Sequence, residues 1–394
     1  MNDNTAAPSR TLIKTASAWL ITLTLPGCGT AVESPRSAFQ HDAAGKAAVT
    51  ERRLQVSAGN DGPAFSLAAG SGVCNGYLFL ADPRQSTVHH INLADGARIR
   101  AIGAGMTGTG SLKSPETTIP DCEGKVVYVV DSGGIVVFNM TNGEFIRRLP
   151  RASNAGAALG SGFLEDGFLF LPAIRFASMT DFGNSEIALR GSALGYRQHA
   201  AQEDDGRSLL ELISERCRAS SPCTRAAIDR IRQPEIQFLG CQGASHEVGV
   251  FNAEGRVVRR IDIRSPQFRD DGTTVSGTAP VARTIEWSQR NSSVIWCGAF
   301  GDLIATAHFT FEDGDWSPGV AMKPKVLLNI HRLDGTPVIA DLALRDFPVA
   351  KDSDSIYVLA YGDARNSTDN RMLELERVQV LDKGSLNPQL IPIS

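Results

Sequence analysis

The chain has 394 residues, 42% of them hydrophobic, and a formal net charge of −4. It is long enough to bury a large core and lacks the compositional bias of disordered or fibrous proteins. Because there is no excess of Lys and Arg to neutralise a phosphate backbone, the composition argues against nucleic acid as the main partner.

The first 28 residues have the features of an export signal. Arg10 and Lys14 precede an apolar stretch over residues 16–25, which is too short to span a bilayer as a helix. The following Leu-Pro-Gly-Cys28 resembles the bacterial lipobox, in which the cysteine is lipidated and becomes the new N-terminus. Pro26 departs from that motif, so a plain signal peptide is the alternative. We predict a signal peptide over residues 1–28, lipidation of Cys28 and a flexible tether over residues 29–50.

After the tether, one structural unit is used repeatedly. Residues 137–149 and 250–261 both begin Val-Phe-Asn, turn at a Gly and end in an Arg-Arg pair followed by an apolar residue. This pattern predicts a β-hairpin, because Gly takes positive φ at a tight turn without steric cost. Two further strands end in Asp82 and Asp131, a spacing of roughly 50 residues that is typical of propeller blades.

The later units are less regular. Apolar strands begin near residues 167, 302 and 355, which gives five recognisable units with the first two, and a sixth can be shared between the two chain ends. We therefore predict an all-β fold over residues 51–394, a β-propeller with six blades. Five or seven blades are the alternatives, as is the division of residues 155–262 into two blades.

Residues 176–240 interrupt the third unit. The segments 208–216 and 224–231 carry apolar residues at helical spacing, and Ser208 and Thr224 are suitable N-terminal caps. We predict a partly helical insertion on one face of the ring. It either carries function or covers a strand edge.

Apart from Cys28, six cysteines remain, and disulfides are expected in an exported chain. Cys74 and Cys122 occupy matching places in successive units, which makes them a candidate pair. Cys217 with Cys223 and Cys241 with Cys297 complete one of fifteen connectivities. The sequence has no C-x-x-C spacing of the kind that zinc sites use.

The strands ending in Asp82 and Asp131, the hairpins closing on Asp-Gly or Asn-Gly and the Gly-rich link at residues 103–112 resemble the NHL-type, six-bladed β-propellers of bacterial exported lipoproteins. The resemblance is good over residues 74–150 and loose elsewhere. It implies a fold and not an activity, because such propellers include binding scaffolds, lyases and hydrolases. The amidating lyase of this group binds zinc through several His, for which His246, His308 and His331 are weak candidates here.

Aromatic residues are the remaining site candidates. Tyr196 and Trp316 are expected in Gly-rich or charged loops and are candidates for a ligand-binding surface, whereas Trp287, in a predicted strand, and Trp296 are expected in the core. No catalytic residue and no cofactor is predicted. We expect a lipid-anchored scaffold of the bacterial cell envelope that binds a protein, peptide or glycan. The alternative is a lyase or hydrolase with a polar or metal site at the central channel, where polar residues of separate units would converge.

Overall fold

A computed structural model describes residues 47–58, 63–66, 70–150, 162–172, 193–199, 207–211, 226–231, 237–275, 281–311, 324–360 and 372–382. The first described strand is β1 (Ala47–Ser57). The next strands form two four-stranded sheets. Sheet 1 contains β2 (Ser71–Cys74), β3 (Tyr77–Asp82), β4 (Thr87–Asn92) and β5 (Arg98–Ile102). Sheet 2 contains β6 (Pro115–Asp121), β7 (Val126–Asp131), β8 (Gly134–Asn139) and β9 (Phe145–Leu149).

The middle of the chain forms two more sheets of the same kind. Sheet 3 contains β10 (Phe163–Glu165), β11 (Phe168–Pro172), β12 (Ala193–His199) and β13 (Arg207–Glu211). Sheet 4 contains β14 (Ala226–Ile231), β15 (Gln237–Gln242), β16 (Glu247–Phe251) and β17 (Val257–Asp262).

One helix, α1 (Val281–Arg290), precedes the last two sheets. Sheet 5 contains β18 (Ser293–Phe300), β19 (Leu303–Thr310), β20 (Lys325–Arg332) and β21 (Pro337–Leu344). Sheet 6 contains β22 (Pro348–Lys351), β23 (Ser355–Ala360), β24 (Met372–Asp382) and finally β1.

The sheets are arranged as a β-propeller, so the predicted all-β propeller fold is confirmed. Within each sheet, neighbouring strands pair antiparallel in the order given above. The first strands of neighbouring sheets contact one another, β2 with β6, β6 with β10, β10 with β14, β14 with β18 and β22 with β2. These inner strands surround the axis, and the last strand of each sheet lies at the rim.

The two ends of the chain join in sheet 6. β1 pairs with β24 over eleven consecutive residues, from Ala47 opposite Asp382 to Ser57 opposite Met372. At its end the strand also contacts sheet 1, where the Ser57 amide donates to the Gly96 carbonyl at 3.1 Å. Gly96 has φ +76° and approaches Gln55 so closely that a Cβ would collide with its carbonyl oxygen. The close packing at this junction therefore requires glycine.

The predicted helices within residues 176–240 are wrong. Residues 207–211 and 226–231 form β13 and β14, so residues 155–262 contribute two sheets. In β14 the consecutive residues Ala227 and Ile228 are both buried. A strand covered on both faces carries apolar residues without alternation, and a short run of that kind cannot be distinguished from a helix by its period.

Two aspartates at matching places hold the segments that enter sheets 1 and 2. The Asp82 carboxylate accepts hydrogen bonds from the Ser66 amide at 2.8 Å and the Ser66 hydroxyl at 2.7 Å. Asp131, at the matching place in sheet 2, accepts from the amides of Lys113 at 2.9 Å and Ser114 at 2.7 Å. Both aspartates are buried. The recurring strand that ends in Asp is therefore a device for joining successive sheets.

The neighbouring residues His89 and His90 serve in packing. His89 Nε2 lies 3.4 Å from Asp82, and the ring of His90 stacks on Phe79 with centroids 4.5 Å apart. Burial raises the pKa of Asp82, but hydrogen bonds from His89 and Ser66 outweigh it, so that the pKa of Asp82 lies below its ordinary value.

Trp287 lies in α1 and not in a strand. The indole N–H donates to the Thr273 carbonyl at 3.1 Å, and the side chain is buried. Its expected place in the core is confirmed. Trp296 is likewise buried, on β18.

Candidate functional site

Two ion pairs lie among the inner strands, and we call their four side chains the inner charge cluster. They come from three sheets, and each lies at the C-terminal end of its strand or within two residues of it. Because inner strands of separate sheets approach only around the axis, this is the place where the propeller gathers residues that are distant in sequence. The members are Glu165 on β10, Asp229 and Arg230 on β14, and Lys351 on β22.

Lys351 of sheet 6 contacts residues of sheets 4 and 5. Its Nζ lies 2.9 Å from Asp229 Oδ2 and donates to the Ala299 carbonyl at 2.9 Å. The same Nζ lies 4.9 Å from the centroid of the Phe300 ring, a cation–π contact. Gly298 makes room for the lysine, since a Cβ there would lie 2.7 Å from Lys351 Cδ.

Asp229 and Arg230 are neighbours on a strand, so they point to opposite sides. Asp229 Oδ2 also accepts the Ala299 amide at 2.7 Å, on the side of sheet 5. The Arg230 guanidinium pairs with Glu165, on the side of sheet 3. The four side chains keep between 15% and 25% of their surface exposed, so water still reaches the cluster.

The cluster can hold the inner strands in register, and its charges are balanced within it. Each carboxylate has a cationic partner, and the Lys351 ammonium is occupied by two oxygen acceptors and a ring face. A general acid or base must instead exchange its proton with a reacting group. The geometry therefore fits a structural ion-pair network better than a catalytic centre.

The three candidate metal-binding histidines do not share a site. His246 Nδ1 lies 3.3 Å from Asp270 Oδ2, and the ring of Phe268 lies between His246 and His308, with centroid distances of 6.5 and 5.1 Å. His308 Nδ1 lies 3.1 Å from Asn329 Nδ2. Burial lowers the pKa of His308 to about 4. The imidazole is therefore neutral at physiological pH and accepts the Asn329 N–H.

His331 is further away along the neighbouring strand. His308 is opposite Leu327 on β20, four residues before His331, a distance of about 13 Å along a strand. Burial also lowers the pKa of His331, against the opposing effect of Asp262. Among the residues that the structure describes, no group of three or more His, Cys, Asp or Glu could hold a metal ion.

The described cysteines comprise one disulfide and two free thiols. Cys74 and Cys122 form a disulfide with Cα atoms 5.7 Å apart, which links the ends of β2 and β6 as their matching sequence positions predict. Cys241 and Cys297 lie together between sheets 4 and 5 but carry free, buried thiols. Burial, followed by the neighbouring Cys241, raises the pKa of the Cys297 thiol well above its ordinary value. Cys28, Cys217 and Cys223 lie outside the described residues.

The aromatic candidates remain predictions. The predicted loop around Tyr196 is wrong, because Tyr196 belongs to the strand β12, opposite Leu171 on β11 and Ser208 on β13. Trp316 lies outside the described residues. The inner charge cluster was not predicted from the sequence. Its only signal is a pair of charged residues within the apolar run Ala-Ala-Ile-Asp-Arg-Ile of β14.

Solved structures with this fold include two from Bacteroides species. A member of the DUF4221 family from Bacteroides vulgatus matches with a TM-score of 0.60 at 10% identity, over 86% of this chain and 99% of its own. A protein from Bacteroides fragilis that is assigned to export matches with a TM-score of 0.51 at 11% identity, over 84% of this chain and 95% of its own. At such identities the similarity shows the fold alone.

No family model matches the sequence, and no curated protein is similar to it. In the described part of the chain, no helix has both the length and the apolar character needed to cross a membrane.

Proposed function

We propose that this chain is an exported, lipid-anchored propeller of six blades that binds a protein, peptide or glycan at the bacterial cell envelope. The ring supplies a rigid frame, and the rim and connecting segments supply the binding surface. The NHL-type resemblance adds to the same proposal.

Export is supported by two features of this chain and by one structural neighbour. The N-terminal segment has a basic start, a short apolar stretch and a lipobox-like end at Cys28. The Cys74–Cys122 disulfide suits an oxidising compartment, because cytosolic thiols are kept reduced. The Bacteroides fragilis structure of the same fold is itself assigned to export.

Binding, and not catalysis, is supported by one observation above all. Two pairs of charged side chains on the described inner strands are engaged with each other, Asp229 with Lys351 and Glu165 with Arg230. The competing proposal, a lyase or hydrolase at the channel, would need one of these groups to leave its partner during turnover.

Lipid anchoring is tested by expressing the full chain and Cys28→Ser in a bacterial host. We expect the wild type in the detergent-rich phase after Triton X-114 partition, with incorporation of radiolabelled palmitate. The Cys28→Ser chain should carry no label. Equal labelling of the two chains, or none in either, would contradict anchoring at Cys28.

The binding proposal is tested with the full chain on a glycan array, a displayed library of random twelve-residue peptides and fractionated envelope proteins. We expect saturable binding in one panel that survives in the Asp229→Asn/Lys351→Met double variant. If all three panels are empty and general esterase or lyase substrates are turned over by the wild type but not the double variant, the enzyme alternative replaces this proposal.

A further inference from the structure

Two buried cysteines lie at the interface between sheets 4 and 5. Cys241 is on β15 and Cys297 is on β18, and both side chains are almost completely buried. They belong to one core cluster, to which both sheets contribute residues. Both thiols are free in the structure. The interface therefore contains a pair of reduced thiols that is shielded from solvent.

The contacts of the two thiols place them side by side. Cys297 Sγ donates to the Ala227 carbonyl at 3.4 Å, and Ala227 is directly opposite Cys241 in the pairing of β14 with β15. The Cys297 thiol is also a hydrogen-bond partner of the Cys241 thiol. A disulfide bond brings its two sulfurs to about 2 Å, which is a short further approach from this contact.

A bond between these two cysteines would stabilise the fold more than the reduced thiols do. A thiol is a weak hydrogen-bond donor, so the reduced pair gains little from its contacts. The bond would close a loop of about 56 residues, which lowers the conformational entropy of the unfolded chain. The chain already has one cross-link of this kind, because Cys74 and Cys122 join sheets 1 and 2 across 48 residues.

We propose that Cys241 and Cys297 form a second disulfide in the exported protein, which joins sheet 4 to sheet 5, and that this bond forms before the two sheets pack together. The inference rests on the export that is part of the proposed function. It adds a covalent modification that is independent of any ligand. The structure describes the reduced form of this pair.

The oxidant is a molecule that itself carries a disulfide, either a small one such as glutathione disulfide or a protein of the oxidising compartment. One cysteine thiolate attacks a sulfur of the oxidant and displaces the other oxidant sulfur as a thiolate, which gives a mixed disulfide. The second cysteine thiolate then attacks the cysteine sulfur of the mixed disulfide and releases the remaining oxidant sulfur. The two cysteines lose two electrons, and their two protons end on the two thiols of the reduced oxidant.

Packing of the two sheets protects the pair from this reaction. The attacking species is the thiolate, and burial raises the pKa of Cys297 well above its ordinary value. Both cysteines also lack the exposed surface that an oxidant must reach. Oxidation should therefore be fast while the sheets are apart and slow once the protein has folded.

The first measurement identifies the linked peptides. The full chain is expressed in a bacterial host, unfolded in guanidinium with N-ethylmaleimide and without reductant, and digested with trypsin. Trypsin releases Cys241 within residues 233–256 and Cys297 within residues 291–325, and neither peptide contains another cysteine. We expect a single species in the mass spectrum that is lighter by two hydrogens than the sum of the two peptides. In the control variant Cys297→Ala, Cys241 should carry the maleimide instead.

The second measurement tests the order of oxidation and folding. The reduced full chain is refolded with glutathione disulfide present from the start, or glutathione disulfide is added after refolding is complete. We expect the linked peptide to form at least tenfold faster in the first case. Equal rates would show that the packed sheets do not protect the thiols, and would overturn the proposed order.

The third measurement tests the effect on stability. The oxidised wild type should melt about 5 °C above the Cys241→Ala/Cys297→Ala double variant, because the variant lacks the cross-link. Under reducing conditions this difference should become smaller. A difference that is the same with and without reductant would show that the substitutions act through packing alone, and would contradict the cross-link.

The outcomes separate this inference from the proposed function. Free thiols at both positions, in the expressed chain and in the refolded chain, would overturn the second disulfide and leave export intact. A link from either cysteine to Cys217 or Cys223 would overturn it too. A link that forms on refolding with glutathione disulfide but is absent from the expressed chain would support the pairing of the two cysteines and contradict export.

Discussion

The two faces of sheet 5 differ in the polarity of their buried side chains. The face toward sheet 6 is apolar, with Ala305 and Ala307 of β19 and Leu328 of β20 packed in one cluster with Ile356 and Val378. The face toward sheet 4 carries the buried polar side chains of Thr306, His308, Thr310, Asn329 and His331, beside the apolar Cys297, Ala299 and Ile304. Successive residues of a strand point to opposite faces, so a single sequence serves both.

The polar face holds a connection in place. Asn329 contacts His308 through Nδ2 and accepts the Asp341 amide through Oδ1 at 2.7 Å. The Asp341 carboxylate in turn accepts the Gln267 amide at 3.0 Å, and Phe268 packs on His308. The apolar face thus supplies burial energy, whereas the polar face fixes the segment between sheets 4 and 5.

The largest loss of stability is expected from a substitution on the apolar face of sheet 5. Leu328 is completely buried, so Leu328→Ala removes apolar contacts and leaves a cavity. We expect a loss of about 3 kcal/mol in the free energy of unfolding, measured in urea. Val258→Ala, at an exposed site on β17, serves as the control and should change stability by less than about 0.5 kcal/mol. Equal effects of the two substitutions would contradict the placement of this cluster.

A smaller loss with a local signature is expected on the polar face. Asn329→Ala leaves His308 Nδ1 and the Asp341 amide without their partner, at a cost of about 2 kcal/mol. Hydrogen exchange of residues 263–275 should rise more than that of the apolar cluster. A uniform rise throughout the protein would show that Asn329 does not hold this connection.

The same face should make stability depend on pH. The pKa of His308 is about 4 in the folded protein, against an ordinary value near 6.5 in the unfolded chain. Below pH 6.5 the His308 side chain is therefore protonated in the unfolded state but not in the folded state. The free energy of unfolding falls as the pH falls toward 4.

His308 should account for up to about 2 kcal/mol of stability between pH 7 and pH 5. His308→Gln should flatten the profile of unfolding free energy by that amount. The variant keeps the slope contributed by His90, whose pKa burial also lowers to about 4, and by His89 and His331, whose pKa values burial lowers as well. An unchanged profile would mean that His308 titrates normally.

The sequence predicted the sheets best where alternation is clear and neighbours are close in sequence. Sheets 1 and 2 follow from the strands that end in Asp82 and Asp131, and from the hairpin turns at Gly96 and Gly143. β13 and β14 were missed because short apolar runs look alike in helices and buried strands. The pairing of Asp229 with Lys351 was missed for a different reason. Only the closure of the ring brings these residues together.

The smallest expected change in the free energy of unfolding is a gain in stability. Among the described residues, the buried Thr306 hydroxyl on the polar face has no hydrogen-bond partner. Thr306→Val replaces the hydroxyl with a methyl group of similar size and removes an uncompensated polar group, so stability should stay unchanged or rise by up to about 1 kcal/mol.

Thr118→Val is the matched control, because the Thr118 hydroxyl donates to the Phe79 carbonyl at 2.6 Å and accepts the Gly72 amide at 3.0 Å. That control should lose about 1 to 2 kcal/mol in the same urea titration. If Thr306→Val is as destabilising as Thr118→Val, the Thr306 hydroxyl has a hydrogen-bonded partner such as buried water, and the polar face is better satisfied than its protein contacts indicate.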